Sequence, residues 1–459
     1  MAKKTKFDYD LIVIGSGAAG STAALSMARA GKKVALVEAG VFGGESPNYG
    51  DVPTKAMLHA AALYQDARDG TRFGIRSTML GYNYPTVQAW KQKAIKRSGS
   101  ANNRDFYTRA GIETFDGIAH FLTPHEITVN RKHLTADNFF IATGAQFAQP
   151  DVYGIDTVNY QTPRTILNTK RIPRSLFIVS SDPEALEYAQ MFATFGTKVY
   201  VSERAQRILP NFDTSVSELI EKQFSDTLGI SFLTQTQLAG VEPKGLGVRV
   251  SFARGQTTKS VQVDEILFLE RSPVTDLGLE NAHVTYTPAG IEVNDYLRTS
   301  AQHIYAGGAT VNSNCSTQVA MLHGRIVAQT ILTKKPVRVP DESPIPRVIH
   351  TSPAIATVGL TDDDCLRRDL PINQAVVPLS QVVRANTSDT SVGFVKLIAD
   401  KKGVLLGATI VAPAAGEMIH EIALALNQNL TAHDLAIMPH AFMTWSEATR
   451  AAAGKLARQ

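Results

Sequence analysis

The sequence predicts an α/β fold: two Rossmann-like units, the second inserted in the first, followed by a C-terminal α+β domain. Three observations predict it. Residues 10–38 run apolar segment, glycine turn, small-residue helix, apolar segment. The same succession returns at an offset of 165 residues. A proline-marked boundary then sets off a block of strand and helix patterns with no glycine fingerprint.

Bulk properties bound the function. A chain of 459 residues has room for two to four domains. Net charge is only +4, with acids and bases interspersed, so nothing argues for a nucleic-acid or acidic-membrane partner. Two distant cysteines, Cys315 and Cys365, exclude a disulfide framework and a cysteine-rich metal site, and fit a reducing cytoplasm. The early apolar run LIVI is too short for a signal peptide or a span, and no run near 18 residues follows. The expectation is a cytoplasmic protein with no metal and no membrane span.

Residues 10–38 read DLIVIGSGAAGSTAALSMARAGKKVALVE. The turn is G-x-G-x-x-G, formed by Gly15, Gly17 and Gly20. Gly15 permits the tight turn, Gly17 lets bare backbone approach a pyrophosphate, and Gly20 lets the helix sit close to the strand. The helix N-terminus supplies amides and positive dipole, and Glu38 can accept from a ribose hydroxyl. Correct flanking elements and a correctly spaced acid turn a weak fingerprint into a prediction of dinucleotide binding. The loop GGESPNYGDVPTK (43–55) follows, stiffened by glycines and prolines and leading straight into helix-forming sequence. Asp51 is expected just before that helix, its carboxylate capping the N-terminal amides.

The run FFIATG (139–144) ends in Thr143-Gly144, and a polar linker marks a boundary near 150. Residues 175–203, SLFIVSSDPEALEYAQMFATFGTKVYVSE, superpose on 10–38 without a gap. Gly31 falls on Gly196 and Glu38 on Glu203, but the three glycines become Ser180, Asp182 and Ala185. The Asp182 side chain obstructs a pyrophosphate, and its charge repels by about 4 kcal/mol per unit pair at about 4 Å before screening. Pro183 removes an amide. The second unit is expected to keep the fold and to have lost or greatly altered its nucleotide site. Short runs over 248–269 (VRVSF, VQV, ILFL) predict a meander closing this domain. Residues 304–330 predict a strand, a Gly-Gly turn and a long helix. Beyond the prolines at 336–346, PRVIHTSPAIATVGLT, GFVKLIAD and LLGATIV read as strands, and EMIHEIALALNQN and WSEATRAAAGKLA as helices. The expected domains are 1–150 with 276–335, then 151–275 inserted between them, then 341–459.

This arrangement resembles the FAD-dependent pyridine nucleotide-disulfide oxidoreductases, of the dihydrolipoamide dehydrogenase, glutathione reductase and mercuric reductase type. The resemblance covers nearly the whole chain. It rests on Gly15-Ser-Gly-Ala-Ala-Gly20 with Glu38, on Gly43-Gly44 through Pro53-Thr54-Lys55, and on Ala142-Thr143-Gly144. Tyr305-Ala306-Gly307-Gly308, Pro346-Arg347-Val348 with Val358-Gly359-Leu360-Thr361, and Thr444-Trp445-Ser446-Glu447 add to it. It implies FAD and a homodimer formed through the C-terminal domain. By the resemblance, Gly15, Gly17, Ala18, Gly20 and Glu38 bind the ADP half. Gly44, Lys55, Ala119, Thr143, Gly144, Gly308 and Ala309 complete the cofactor-binding set.

The departures are specific. The family's redox cysteines fall on Ser46 and Asp51, which cannot exchange thiols. The histidine that accompanies Glu447 reads Phe442, with His440 two residues away. The aspartate that holds the ribityl chain reads Ala309, and the family's Gly-Arg after the meander reads Glu270-Arg271. One pair survives: Lys55, near flavin N5 in the family, and its salt-bridge partner Glu187. The resemblance thus implies Lys55, Glu187 and Glu447 as catalytic candidates. The expected function is a flavin oxidoreductase that is not a disulfide reductase and passes electrons to a small acceptor, with NAD(P) in doubt as donor. The alternative is a pseudoenzyme serving as a flavin sensor or a structural partner.

Overall fold

The computed structural model describes residues 7–76, 80–99 and 101–459. The chain forms two compact units. One holds residues up to Ala56, Gln88–Pro150 and Glu270–Glu342; the other holds Met57–Val87, Asp151–Leu269 and Ser343–Gln459.

In the first unit, five strands lie parallel in the order Glu113–Asp116, Val34–Glu38, Tyr9–Ile14, Lys132–Ile141 and Ile304–Ala306. Leu11, Ile12, Val13 and Ile14 are all buried, as a strand covered on both faces requires. The start of Lys132–Ile141 turns antiparallel to Glu126–Val129, which pairs with Ala119–Thr123. Helix Ala18–Arg29 packs on helix Thr317–Thr333. That approach depends on Gly324, whose Cβ would overlap the carbonyl oxygen of Ala19. Ile14 lies level with both Val37 and Ile141. The glycine turn therefore leaves the sheet at the carboxyl edge, where the chain order switches sides and where α/β sheets hold ligands.

In the second unit, Ser231–Leu233, Lys198–Ser202, Ser175–Val179 and Glu265–Phe268 form a four-stranded parallel sheet in that order. Its helix Pro183–Thr194 has the bounds of Ala18–Arg29 shifted by 165. The antiparallel meander is Gln237–Lys244, Gly247–Arg254 and Thr257–Val263. It begins earlier than expected, and the run at 266–269 leaves it for the parallel sheet. Ile266, Leu267 and Phe268 are buried together, which suits a central strand rather than an alternating edge. The C-terminal sheet is antiparallel in the order Arg347–Ile349, Ala354–Gly359, Leu405–Ala412, Phe394–Asp400 and Ile372–Pro378. Ile372–Pro378 was not expected from the sequence. Helices Ala415–Asn427 and Glu447–Leu456 pack on this sheet. Among the described residues, no helix is long and apolar enough to cross a membrane.

Candidate functional site

The turn after Ile14 shows why each glycine is present. Gly15 has φ +101°, and a Cβ there would overlap the Ala142 carbonyl oxygen. A Cβ on Gly20 would overlap the carbonyl oxygen of Gly15. Gly44, at φ +70°, would place a Cβ 2.5 Å from the Cα of Gly17. Gly17 differs. Its φ of −66° and ψ of −171° suit any residue, and nothing lies within 4 Å of where its Cβ would be. No neighbour in the chain demands glycine there, so the open space over bare backbone is room for a ligand. Ala18 opens the helix directly behind it.

Glu38 is held rigidly. Its Oε2 accepts from the amide of Ser16 at 2.8 Å and from the Ser16 hydroxyl at 2.6 Å, and its Oε1 accepts from Gly40 N–H at 2.8 Å. Ser16 Oγ also accepts from Gly43 N–H at 2.9 Å. A buried serine thus ties the acid to the loop that opens the 43–55 stretch. The glycine fingerprint does not mark Ser16; its signal is the repeat, which places a serine at 16 and at 181. Shifted by 165, Ser181 donates to Glu203 at 2.5 Å, and Ala205 N–H donates to Glu203 at 2.8 Å.

The rest of the second turn departs. Ser180 is not among the residues with positive φ, so the turn follows another path than at Gly15. Its hydroxyl accepts from Asp182 N–H at 2.9 Å. Asp182 copies the backbone of Gly17, with φ −60° and ψ 162°, and its side chain is exposed and makes no cap hydrogen bond. Pro183 has no amide, Glu184 adds a second acid to the first turn, and Ala185 is fully buried.

In the 43–55 loop, helix Asp51–Asp69 begins at Asp51 itself. The expected cap on helix amides is corrected. Asp51 Oδ2 accepts from Ser46 Oγ at 2.7 Å and Thr317 Oγ1 at 3.0 Å, while Oδ1 pairs with Lys55 Nζ at 3.4 Å. An (i, i+4) lysine and two hydroxyls outcompete amides because their donors can turn toward the carboxylate. Burial alone would raise the Asp51 carboxyl, but Lys55 and the hydroxyls of Ser46 and Thr317 outweigh it and hold it below the usual range. Ser46 and Asp51 thus form a charge-bearing hydrogen-bond network.

Facing elements of the same unit complete the site. Thr143 Oγ1 donates to the Val274 carbonyl at 2.8 Å, and Gly144, at φ +73°, accepts from Val274 N–H at 3.0 Å. Gly308 and Ala309 lie in a tight turn, Gly308–Thr310, whose Gly308 N–H donates to His323 Nδ1. Ala119 opens the strand Ala119–Thr123 and is buried in the apolar core. The Cys315 thiol is pushed up to about 12 by burial and by Glu342, which disfavours the thiolate.

The second unit holds the remaining candidates. Glu187 is buried and its Oε1 accepts from His350 N–H at 2.8 Å. Glu447 accepts from Met443 N–H at 3.0 Å, and Phe442 is largely exposed. His440 has a buried ring bound to Glu421 Oε2 and the Met438 carbonyl, each at 3.0 Å. Among the described residues, no group of three or more His, Cys, Asp or Glu is placed to hold a metal ion.

The family model described as "Pyridine nucleotide-disulphide oxidoreductase" matches residues 9–324, and that of its dimerisation domain matches residues 345–453. A mercuric reductase of Staphylococcus aureus is 32% identical over 450 residues, covering 97% of this chain and 82% of that protein. A dihydrolipoyl dehydrogenase of Thermus scotoductus is 32% identical over 457 residues, covering 98% of each. Among solved structures, the HOCl-induced flavoprotein disulfide reductase RclA of Escherichia coli aligns with a TM-score of 0.86 and 25% identity, over 97% of this chain and 99% of that one.

Proposed function

The chain belongs to the pyridine nucleotide-disulphide oxidoreductase family, and on that premise we propose that it is an FAD-binding homodimer whose flavin delivers electrons directly to a small acceptor, with no redox disulfide. Gly17 carries the cofactor reading: no neighbour in the chain requires glycine there, and the space over its backbone at the helix N-terminus is open. Gly15, Gly17, Gly20 and Glu38 would hold the ADP half, and Gly44, Gly144 and Gly308 would border the flavin. The flavin supplies two-electron oxidation and reduction. The chain's own part is to bind and orient it, and to set its charge environment through Lys55, for which Glu187 is the proposed partner. An ammonium there favours a reduced flavin that carries negative charge.

What supports the exclusion of disulfide exchange is the chemistry of the loop. That reaction begins with a thiolate. Ser46 and Asp51 offer a hydroxyl and a carboxylate, already bound to each other, and Cys315 stays protonated. The same positions bear on the donor. Asp182, Glu184 and Pro183 oppose a pyrophosphate at the second turn, while Glu203 would favour NAD over a 2′-phosphorylated cofactor if either binds.

The test is direct. Purified protein given FAD should show a flavin spectrum, and the flavin, once reduced, should reoxidise with a quinone or with oxygen but not with a lipoamide or glutathione disulfide. Absence of bound flavin sinks the reading. The closed phosphate end of the second turn favours one alternative, a flavin-bearing sensor or partner without turnover. Failure of both NADH and NADPH to bleach the flavin anaerobically would move the weight there. Sedimentation should give a dimer.

A further inference from the structure

Behind the Gly307-Gly308 turn sits a buried imidazole that the proposed reaction does not use. His323 Nδ1 accepts from Gly308 N–H at 3.1 Å, and His323 Nε2 meets Glu342 Oε1 at 3.1 Å. A backbone N–H can only donate, so Nδ1 is the bare acceptor and Nε2 carries the proton shared with Glu342. The ring is neutral and fixed in one tautomer for as long as it holds Gly308. A Cβ on Gly307 would meet the His323 Cβ and the Phe140 ring, and the next residue on the His323 helix, Gly324, packs against Ala19 and Thr22 of the helix that follows the glycine turn. Among the described residues, Glu342 is the charged group in contact with the ring.

The turn this ring holds is part of the cradle. Gly308 has φ +75°, and its backbone packs so close that a Cβ would lie 3.3 Å from that of Ala19 and 3.4 Å from that of Ala320. The following residue, Ala309, has no polar side chain to offer a ligand. The shape of the turn must therefore be imposed from behind. Protonating Nδ1 would set two donors against each other and release Gly308.

We propose that His323, braced by Glu342, is a positioning residue for the flavin: it holds the Gly308–Thr310 turn in its binding shape and lets go when it is protonated. This rests on the FAD reading above. The test is the dissociation constant of FAD from the holoprotein, read by flavin fluorescence between about pH 8 and about pH 5. The variants are His323→Ala and His323→Asn. Asn carries Oδ1 at the same bond distance from the backbone as Nδ1, and it does not titrate. Wild type should weaken tenfold or more on acidification. His323→Ala should be weaker already at the alkaline end by about tenfold, or about 1.4 kcal/mol. His323→Asn should bind well there and lose the pH dependence, which also decides the matter if the Ala variant misfolds. Equal affinities in all three proteins would overturn the proposal, as would a wild-type pH dependence in His323→Asn. Wild-type protein that takes up no FAD at any pH overturns the parent reading and this one with it.

Discussion

At the residue scale, two glycines of one motif do different jobs. Gly15 satisfies the fold, and Gly17 is proposed to serve the ligand. Gly15→Ala should cost about 1–3 kcal/mol of stability, because φ is positive and the new methyl group meets backbone. Gly17→Ala should leave urea unfolding of the apoprotein within about 0.5 kcal/mol of wild type while weakening FAD by tenfold or more. Equal losses in both assays for Gly17→Ala would remove the argument from its open space. Asp51 makes a second residue-scale case. Its folded pKa is depressed, so its stabilisation is present above the unfolded value, about 3.9, and is lost as pH falls through the lower folded value. Asp51→Asn should flatten that part of the acid limb. At pH 7 it should cost less than about 1 kcal/mol, since the pair with Lys55 is partly exposed. Acid unfolding of both proteins checks it.

At the element scale, the two Rossmann units differ in what their helix N-termini offer an anion. Both present the same backbone at the N-cap, near −60° in φ and extended in ψ. The first offers amides over bare backbone. In the second, Ser180 takes the Asp182 amide, Pro183 has none, the Asp182 carboxylate is exposed, and Glu184 adds a half-buried acid to the first turn. The acid on the second strand is held by a serine in both, so the difference between the two units lies at the phosphate end of the turn. Restoring glycine at Ser180, Asp182 and Ala185 together should tighten NADH at least tenfold in a fluorescence titration. Pro183 should keep the variant one donor short of the first unit. Unchanged affinity would mean that the glycines are not what closes the site.

At the scale of the whole molecule, unit two is knit together by a buried ionic cluster. Lys396 Nζ lies 2.7 Å from Asp362 and 3.3 Å from Asp213, which also takes the Thr409 hydroxyl. Burial, and then the hydrogen bond shared with Asp362, push Asp213 up to about 6. Asp362 is more exposed; burial would raise it, but its bonds to Asp213 and Lys396 bring it down to about 2. For Asp213 the folded value exceeds the unfolded one. The folded state therefore binds the extra proton, and stability falls as pH rises from about 4 to about 6. Asp362 acts in the opposite sense, and its contribution is lost only as pH falls toward about 2. Asp213→Asn should flatten stability across the window from about 4 to about 6. Lys396→Met should cost about 3–5 kcal/mol at neutral pH, because it strands a buried carboxylate, and less at pH 5, where Asp213 can take up a proton. Urea unfolding at both pH values measures this.

The sequence by itself determined the elements and their repeat. Alternation of apolar runs and glycines is local, and a period of 165 residues is visible without coordinates, so both nucleotide-type units, the position of each fingerprint residue and the family were legible. Only tertiary structure decided which contacts those residues make. The G-x-G-x-x-G pattern assigns Ser16 no role, and only the fold brings Glu38 back onto it. Asp51 looked like a helix cap until Thr317, 266 residues away, brought a hydroxyl to it. His323 was one polar residue on a long helix until Gly308 and Glu342 met it on opposite ring nitrogens. Each depends on where a distant segment places one polar atom. Residue pattern records which surfaces must be buried, whereas a hydrogen bond depends on separations of about 3 Å that only the packed chain sets.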